Sequence, residues 1–160
     1  MANPLKMLKL KPAGFQFIQE IPVKAPPARV WAALLNIGGW FYFDKEFARA
    51  KSKVTLEPKI GGRVMWEARD GSVAMLQGFV AHMEPHKLLR INGPMGMTHL
   101  PVNNAFIWEL QSKNGGKTTL LRFCQRTFGF ITPQLKKDFH GGWKRLLPQL
   151  KKLAETKSKR

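Results

Sequence analysis

Cysteine is almost missing from this sequence. Cys124 is the single cysteine among 160 residues, so no internal disulfide can form. A chain of this length is able to bury a core without such cross-links, and we treat it as one domain. The alternating apolar pattern around Cys124 indicates a small buried side chain rather than a reactive thiol.

Long hydrophobic runs are missing as well. The apolar stretches are interrupted within about ten residues, whereas a membrane-spanning helix needs roughly twenty. The N-terminal residues include Lys6, Lys9 and Lys11 among leucines, without the uncharged segment typical of a signal peptide. These absences predict a protein that does not insert into a membrane and that resides in the cytoplasm.

Acidic residues are scarce, since 10 Asp and Glu stand against 27 Lys and Arg, and the net charge is +17. Such a charge attracts nucleic acids, anionic lipid head groups and acidic ligands. The cations are spread along the chain, and no nucleic-acid-binding motif accompanies them. We therefore predict no specific nucleic-acid partner, while weak non-specific binding of anions stays open. No motif indicates the oligomeric state, and a homodimer also stays open.

Apolar residues are plentiful, at 44% of the chain, with 11 Phe and 5 Trp. Alternating patterns, broken by turn signals such as Asp70-Gly71, predict a series of short strands. The predicted strands cover residues 15–23, 54–56, 63–69, 72–83, 87–92, 104–111 and 117–127. After the first strand, the spacing predicts a helix over 28–35 and a second short helix or turn around Trp40.

A long helix is predicted at the C-terminal end, beginning at Thr132 and Pro133. Its apolar face consists of Leu135, Phe139, Trp143, Leu146, Leu147, Leu150 and Leu153. Together the elements predict an α+β fold, in which a curved antiparallel sheet of about seven strands wraps around this helix. We expect one domain over 15–154, a flexible N-terminal segment over 1–14 and a basic tail over 155–160.

Four short motifs, in order along the chain, resemble the SRPBCC superfamily. They are Ala25-Pro26-Pro27-Ala28-Arg29-Val30-Trp31 with Trp40, Gly61-Gly62-Arg63-Val64-Met65-Trp66-Glu67, Gly78 with Glu84-Pro85-His86-Lys87-Leu88, and Gly142-Trp143 with Leu146, Leu147 and Leu150. The chain is similar in particular to the branch named for the activator of the heat-shock-protein-90 ATPase. The resemblance implies a START-like, helix-grip fold with a hydrophobic cavity between sheet and helix. Because the superfamily includes lipid carriers and polyketide cyclases, fold alone does not fix function.

No catalytic or metal-binding motif is readable. His82 and His86 would share a face only in a helix, and Pro85 and the strand pattern oppose one. The Gly-Lys-Thr at 116–118 is similar to the end of a phosphate-binding loop, but Gln111 stands where that loop needs glycine. We predict no metal, no cofactor and no assigned catalytic residue, so that enzymatic activity stays uncertain.

Alternation along the strands selects the side chains that face the helix. We predict a ligand-binding pocket lined by Trp31, Trp40, Phe43, Met75, Phe79, Phe106, Trp108, Phe123, Phe139 and Trp143. Gln77, Asn104 and Gln125 are its expected polar contacts. Met95 and Met97, in a loop flanked by Gly93 and Gly96, are expected to form a flexible rim. The alternative is that the aromatic residues fill a core and leave no cavity.

The favoured interpretation is a protein that binds a small hydrophobic or aromatic molecule without catalysis. A cyclase-like or hydrolase-like enzyme using the same cavity is the first alternative, and a perturbed acid in the cavity would favour it. A chaperone-related protein-interaction module is the second, and it would expose an apolar patch on the convex face of the sheet.

Overall fold

The computed structural model describes residues 9, 11–41 and 52–156, so the predicted pocket residue Phe43 lies outside the described residues. The described part contains strands β1 to β7, helices α1 and α2, and two short 3₁₀ helices. In chain order these are β1 Pro12–Val23, α1 Pro27–Leu35, the 3₁₀ helix Ile37–Gly39, β2 Ser52–Leu56, β3 Arg63–Ala68, β4 Ala74–Glu84, β5 Leu88–Gly93, β6 Val102–Lys113, the 3₁₀ helix Asn114–Gly116, β7 Thr118–Phe130 and α2 Pro133–Glu155. Residues 12–14, predicted to precede the domain, are part of β1 and pair with residues 128–130.

All seven strands form one antiparallel sheet in the order β1-β7-β6-β5-β4-β3-β2. Strands β2 to β6 each pair with the next strand along the chain, whereas β1 pairs with β7 from the other end of the domain. The long helix α2 packs against α1 and β1. The predicted α+β, helix-grip architecture is therefore confirmed.

Helix α2 begins where the sequence predicts. Thr132 Oγ1 accepts a hydrogen bond of 3.1 Å from the backbone N–H of Leu135, and Pro133 occupies the first helical position, where a missing N–H costs nothing. The face turned to the sheet is buried and comprises Phe139, Gly142, Trp143, Leu146, Leu147, Leu150 and Ala154. Each fully buried leucine on this face contributes roughly 1.5–3 kcal/mol, so burial of this face holds the helix on the sheet.

The other end of α2 is tied to α1 and β1. Arg29 Nη2 donates hydrogen bonds to the carbonyl oxygens of Ala154 and Thr156, at 2.9 and 3.0 Å. The backbone N–H of Lys24 donates to Glu155 Oε1 at 2.7 Å. Because the last carbonyls of a helix have no partners within it, the bonds from Arg29 satisfy carbonyls of this end, and the bond from Lys24 to the Glu155 side chain adds a second anchor.

A bulge in β4 changes which side chains face inward. Val64 pairs with Gly78 but Met65 pairs with Leu76, so Gln77 is an extra residue between the two pairs. One extra residue reverses the faces of all that follow. Phe79 consequently lies opposite Arg63, on the outer face, and is 44% exposed. The expectation that Phe79 shares the inner face with Gln77 is wrong.

Candidate functional site

The loop after β5 is fixed to the bulge in β4. The backbone N–H of Met95 donates to the carbonyl of Gln77 at 2.8 Å, and that of Gly96 donates to the carbonyl of Leu76 at 3.1 Å. Gly93 makes this approach possible, because a Cβ there would lie 2.4 Å from the Cα of Gly78. Residues 95–97 are therefore held beside Gln77 and face the start of α2.

A cavity of about 190 Å³ lies between this loop and the first turns of α2. It is lined by Gln77, Met95, Met97, Leu135, Asp138, Phe139, Gly142, Trp143 and Leu146. We call this cavity the loop–helix pocket. Gln77 and Asp138 are the polar side chains of this lining, and the others are apolar or glycine. The two methionines predicted as a rim do line it, and both are half-buried.

Gln77 brings a free carboxamide to this apolar lining. Among the described residues its side chain has no hydrogen-bond partner, although its backbone carbonyl is bonded to Met95. Gly96 leaves the necessary space, because a Cβ at that position would lie 3.1 Å from Gln77 Nε2. Asp138 differs, since its Oδ1 already accepts a hydrogen bond of 2.8 Å from Gln134.

The other two predicted polar contacts are engaged within the protein. Gln125 Nε2 donates to Asn104 Oδ1 at 3.1 Å and to Thr127 Oγ1 at 2.8 Å, and Thr127 Oγ1 donates to Asn104 Oδ1 at 2.7 Å. Gln125 Oε1 accepts from the indole N–H of Trp143 at 2.6 Å. All four side chains are buried. Such a network leaves little capacity for a ligand, because its polar atoms are already paired.

Trp143 is the one member of this network in the lining of the loop–helix pocket, and the other three hold the walls of the pocket in place. Asn104 Nδ2 donates to the carbonyl of Gly93 at 2.9 Å, at the point where the chain leaves β5 for the loop. Trp143 connects the opposite end of the network to α2. The two walls of the loop–helix pocket, α2 and the 95–97 loop, are thus joined through buried side chains of β6 and β7.

Most of the predicted aromatic lining is packed core. Trp143 lies over Phe123 with ring centroids 4.2 Å apart and over Phe106 at 5.6 Å, and Trp108 lies 5.2 Å from Phe123. The space left beside this cluster is about 20 Å³, room for about one water molecule and too little for a ligand. The centre of the domain is therefore filled, and the cavity lies to one side of it.

The remaining predicted residues also lie away from the loop–helix pocket. Trp31 is buried against His86, with ring centroids 6.3 Å apart, and Trp40 is buried against Trp108 at 6.5 Å. Met75 is half-buried on β4 and is not part of the lining. Of the residues predicted from sequence as pocket lining or polar contacts, Gln77, Phe139 and Trp143 reach it.

Four lining residues on α2 were not predicted as ligand contacts, namely Leu135, Asp138, Gly142 and Leu146. Their spacing of three and four residues places them on one side of the helix with Phe139 and Trp143. The helical period was therefore the signal that could have found them. It does not by itself separate the side chains that pack from those that line a space.

The titratable groups with altered pKa lie outside the pocket. A hydrogen bond from Arg63 lowers the pKa of the exposed Glu57 carboxyl to about 2. Hydrogen bonds from Ser72 and His82 lower the pKa of Asp70 and of Glu84, respectively. His82 Nε2 lies 2.9 Å from Glu84 Oε1 on the surface. Within the described ranges, no group of three His, Cys, Asp or Glu side chains is placed to hold a metal ion.

Comparison with known proteins defines the family. The sequence profile of the Activator of Hsp90 ATPase homolog 1-like proteins matches residues 24–155. The chain belongs to this family, which confirms the resemblance carried by its motifs. No curated protein matches the chain. In residues 9, 11–41 and 52–156, no helix is both long and apolar enough to span a bilayer.

Solved structures share the fold at low sequence identity. A protein from Chromobacterium violaceum is 19% identical, with a TM-score of 0.66 over 89% of this chain and 98% of its own. An uncharacterised protein from Rhizobium leguminosarum is 18% identical, with a TM-score of 0.69 over 91% of this chain and 97% of its own. A protein of unknown function from Staphylococcus aureus is 16% identical, with a TM-score of 0.64 over 91% and 96%. At such identities the likeness shows the fold alone.

Proposed function

We propose that this protein binds a small hydrophobic or aromatic molecule in the loop–helix pocket, without catalysing a reaction on it. The observation that carries the proposal is the pairing of an apolar lining with one free carboxamide, that of Gln77. Binding sites of this kind use apolar surface for affinity and a few polar groups for orientation. Met95 and Met97 add unbranched side chains that adapt to the shape of a ligand.

The size of the pocket limits the range of ligands that it can hold. A volume of about 190 Å³ is below the ~300–1,000 Å³ typical of sites for drug-sized molecules. One or two fused rings fit this space, whereas a long-chain lipid does not. The ligand that fits best is therefore a compact aromatic or alicyclic molecule with a single polar group directed at Gln77.

The enzymatic alternative has less support. Asp138 is the acidic residue of the lining, and it is exposed and bonded to Gln134. The lining holds no second acid or base beside it, so a proton donor and a proton acceptor are not both present there. We therefore assign no catalytic residue.

The protein-interaction alternative would need a continuous apolar patch on the outer face of the sheet. Ile18 and Phe128 are exposed there by 55% and 68%. Between them, Arg126 Nε donates a hydrogen bond of 2.9 Å to Gln16 Oε1 and covers the sheet with polar atoms. The exposed apolar side chains are consequently separated, and we do not propose this function.

The test is a titration of the purified protein with indole and with indene, its analogue without the N–H. Gln77→Leu should weaken indole binding about fivefold and leave indene binding nearly unchanged, because a neutral hydrogen bond contributes about 1 kcal/mol. Gln111→Leu, at a half-buried glutamine outside the pocket, is the matched control. Leu135→Trp should fill the pocket and abolish binding of both probes. Binding that survives Leu135→Trp would contradict the proposal.

A further inference from the structure

The solvent face of α2 carries a cationic surface that the loop–helix pocket does not use. We define it by five residues: Lys137, Lys144, Arg145, Lys151 and Lys152. Lys137, Lys144, Arg145 and Lys152 are exposed, and Lys151 is half-buried. They belong to a chain whose net charge is +17.

The helical period arranges these cations in two parallel rows. Lys137, Lys144 and Lys151 are seven residues apart and form one row, with a rise of about 10.5 Å between successive members. Arg145 and Lys152 form the second row, about a quarter-turn further around the helix, and the exposed Asp138 lies on the same line seven residues before Arg145.

Small residues lie in the strip between the two rows. Gly141 and Pro148 lie there, and both are exposed. A Cβ added at Gly141 would meet no atom within 4 Å, so the strip is open to solvent. Small, exposed residues therefore separate the two cationic rows.

Stabilisation of the helix accounts for Lys152 in its last turn, where cations are favourable, but not for Lys137, Lys144 and Arg145. The first turn contains no acidic residue, so Lys137 lies near the positive end of the helix dipole, where cations are unfavourable. The positions three and four residues from Lys144 hold His140, Gly141, Leu147 and Pro148, none of which is an acid. The ion pair found for this surface within the described residues is Lys151–Glu155, at 3.8 Å.

From this arrangement we propose that the cationic surface of α2 binds the sugar-phosphate backbone of a nucleic acid, independently of base sequence. Two rows of cations along a helix match a linear array of phosphates, and binding would release counterions condensed on the nucleic acid. The surface itself has no aromatic side chain on which bases could stack, so it contacts the backbone alone.

A membrane fits this surface less well. Helices that bind in the interface of a bilayer insert an apolar face beside the cationic one. The apolar face of α2 is buried against the sheet, and the large apolar residues exposed in the described chain lie elsewhere, on strands and turns. A membrane partner would therefore have to be held by charge alone.

The experiment measures fluorescence anisotropy of a labelled DNA duplex of about 25 base pairs, between about 50 and about 200 mM salt. Five phosphate contacts predict a slope of roughly −4 to −5 in a plot of log affinity against log salt concentration. The double variant Lys144→Glu/Arg145→Glu should weaken binding on the order of 10- to 100-fold and reduce the magnitude of that slope by about 2.

The matched control is Lys113→Glu/Lys117→Glu, which makes the same change of net charge at the exposed β6–β7 turn. It should leave the slope unchanged. The double variant Lys144→Gln/Arg145→Gln is a control for misfolding caused by charge reversal. Its unfolding curve should match that of the wild type, whereas its affinity for DNA should be lower. Equal weakening by the two charge-reversal variants would overturn the proposal, because the effect would then belong to the net charge. Binding to vesicles of phosphatidylglycerol with no binding to the duplex would overturn it as well.

Discussion

The indole N–H of Trp143 donates a hydrogen bond of 2.6 Å to Gln125 Oε1, deep between α2 and the sheet. The indole N–H of Trp108, whose ring centroid lies 6.0 Å from that of Trp143, is buried without a hydrogen-bond partner in the described part of the chain. Two neighbouring tryptophans of similar burial thus differ in a single polar contact. That difference gives a matched pair of substitutions.

Trp143→Phe should destabilise the protein more than Trp108→Phe, by about 1–3 kcal/mol in the free energy of unfolding. Both variants remove the same volume from the core. Only the first leaves Gln125 Oε1 buried without a donor, whereas the second removes an unpaired donor. Urea unfolding monitored by circular dichroism checks this order. If the two variants lose equal amounts of unfolding free energy, the hydrogen-bond network does not contribute to stability beyond packing.

Arg29→Ala should release the C-terminal turn of α2. The substitution removes the donor to the carbonyls of Ala154 and Thr156, and we expect a loss of about 1–2 kcal/mol, the lower end of the range for charged hydrogen bonds because the site is partly exposed. Hydrogen exchange should accelerate in the last turn of α2 and stay unchanged near Pro133. Arg69→Ala, at an exposed arginine in the β3–β4 turn, serves as the control and should alter neither quantity.

The Glu57 carboxyl should titrate at a pH of about 2, well below its ordinary value of 4.5. Arg63 Nη2 donates to Glu57 Oε1 at 2.8 Å and favours the ionised form. Because the folded-state pKa is lowered, the contact stabilises the fold above about pH 4.5, and this contribution is lost as the pH falls towards 2. Carboxyl carbon chemical shifts, followed by NMR, report the midpoint. In Arg63→Gln the midpoint should move back towards 4.5, and a midpoint unchanged by that substitution would be evidence against the assigned cause.

The sequence was sufficient to predict the helices and strands, because strand ends and turns depend on residues that are close together in the chain. The Asp70-Gly71 turn, the break between the predicted strands 104–111 and 117–127, and the Thr132 cap lie where predicted. The bulge at Gln77 could not be predicted, since it depends on the close approach of Gly78 and Gly93 from different strands. The prediction therefore continued the strict alternation through Phe79 and placed this side chain on the wrong face of the sheet.

The candidate site was predicted less completely for a related reason. Alternation correctly placed Asn104 and Gln125 inside, where both are buried. It could not show that these two side chains bond to each other, because the bond joins positions 21 residues apart on neighbouring strands. Nor does a pattern of apolar positions show where packing leaves space, which depends on how Trp143 and its neighbours fill the centre.

The central claim is that the loop–helix pocket binds a small apolar ligand, and methionine-methyl NMR tests it most directly. With ¹³C-labelled methionine methyl groups, saturating indole should shift the resonances of Met95 and Met97, which line the pocket. The resonance of Met65, which is opposite Leu76 and outside the lining, should stay in place. If indole leaves Met95 and Met97 unmoved, or shifts Met65 as strongly as these two, the pocket is not the binding site.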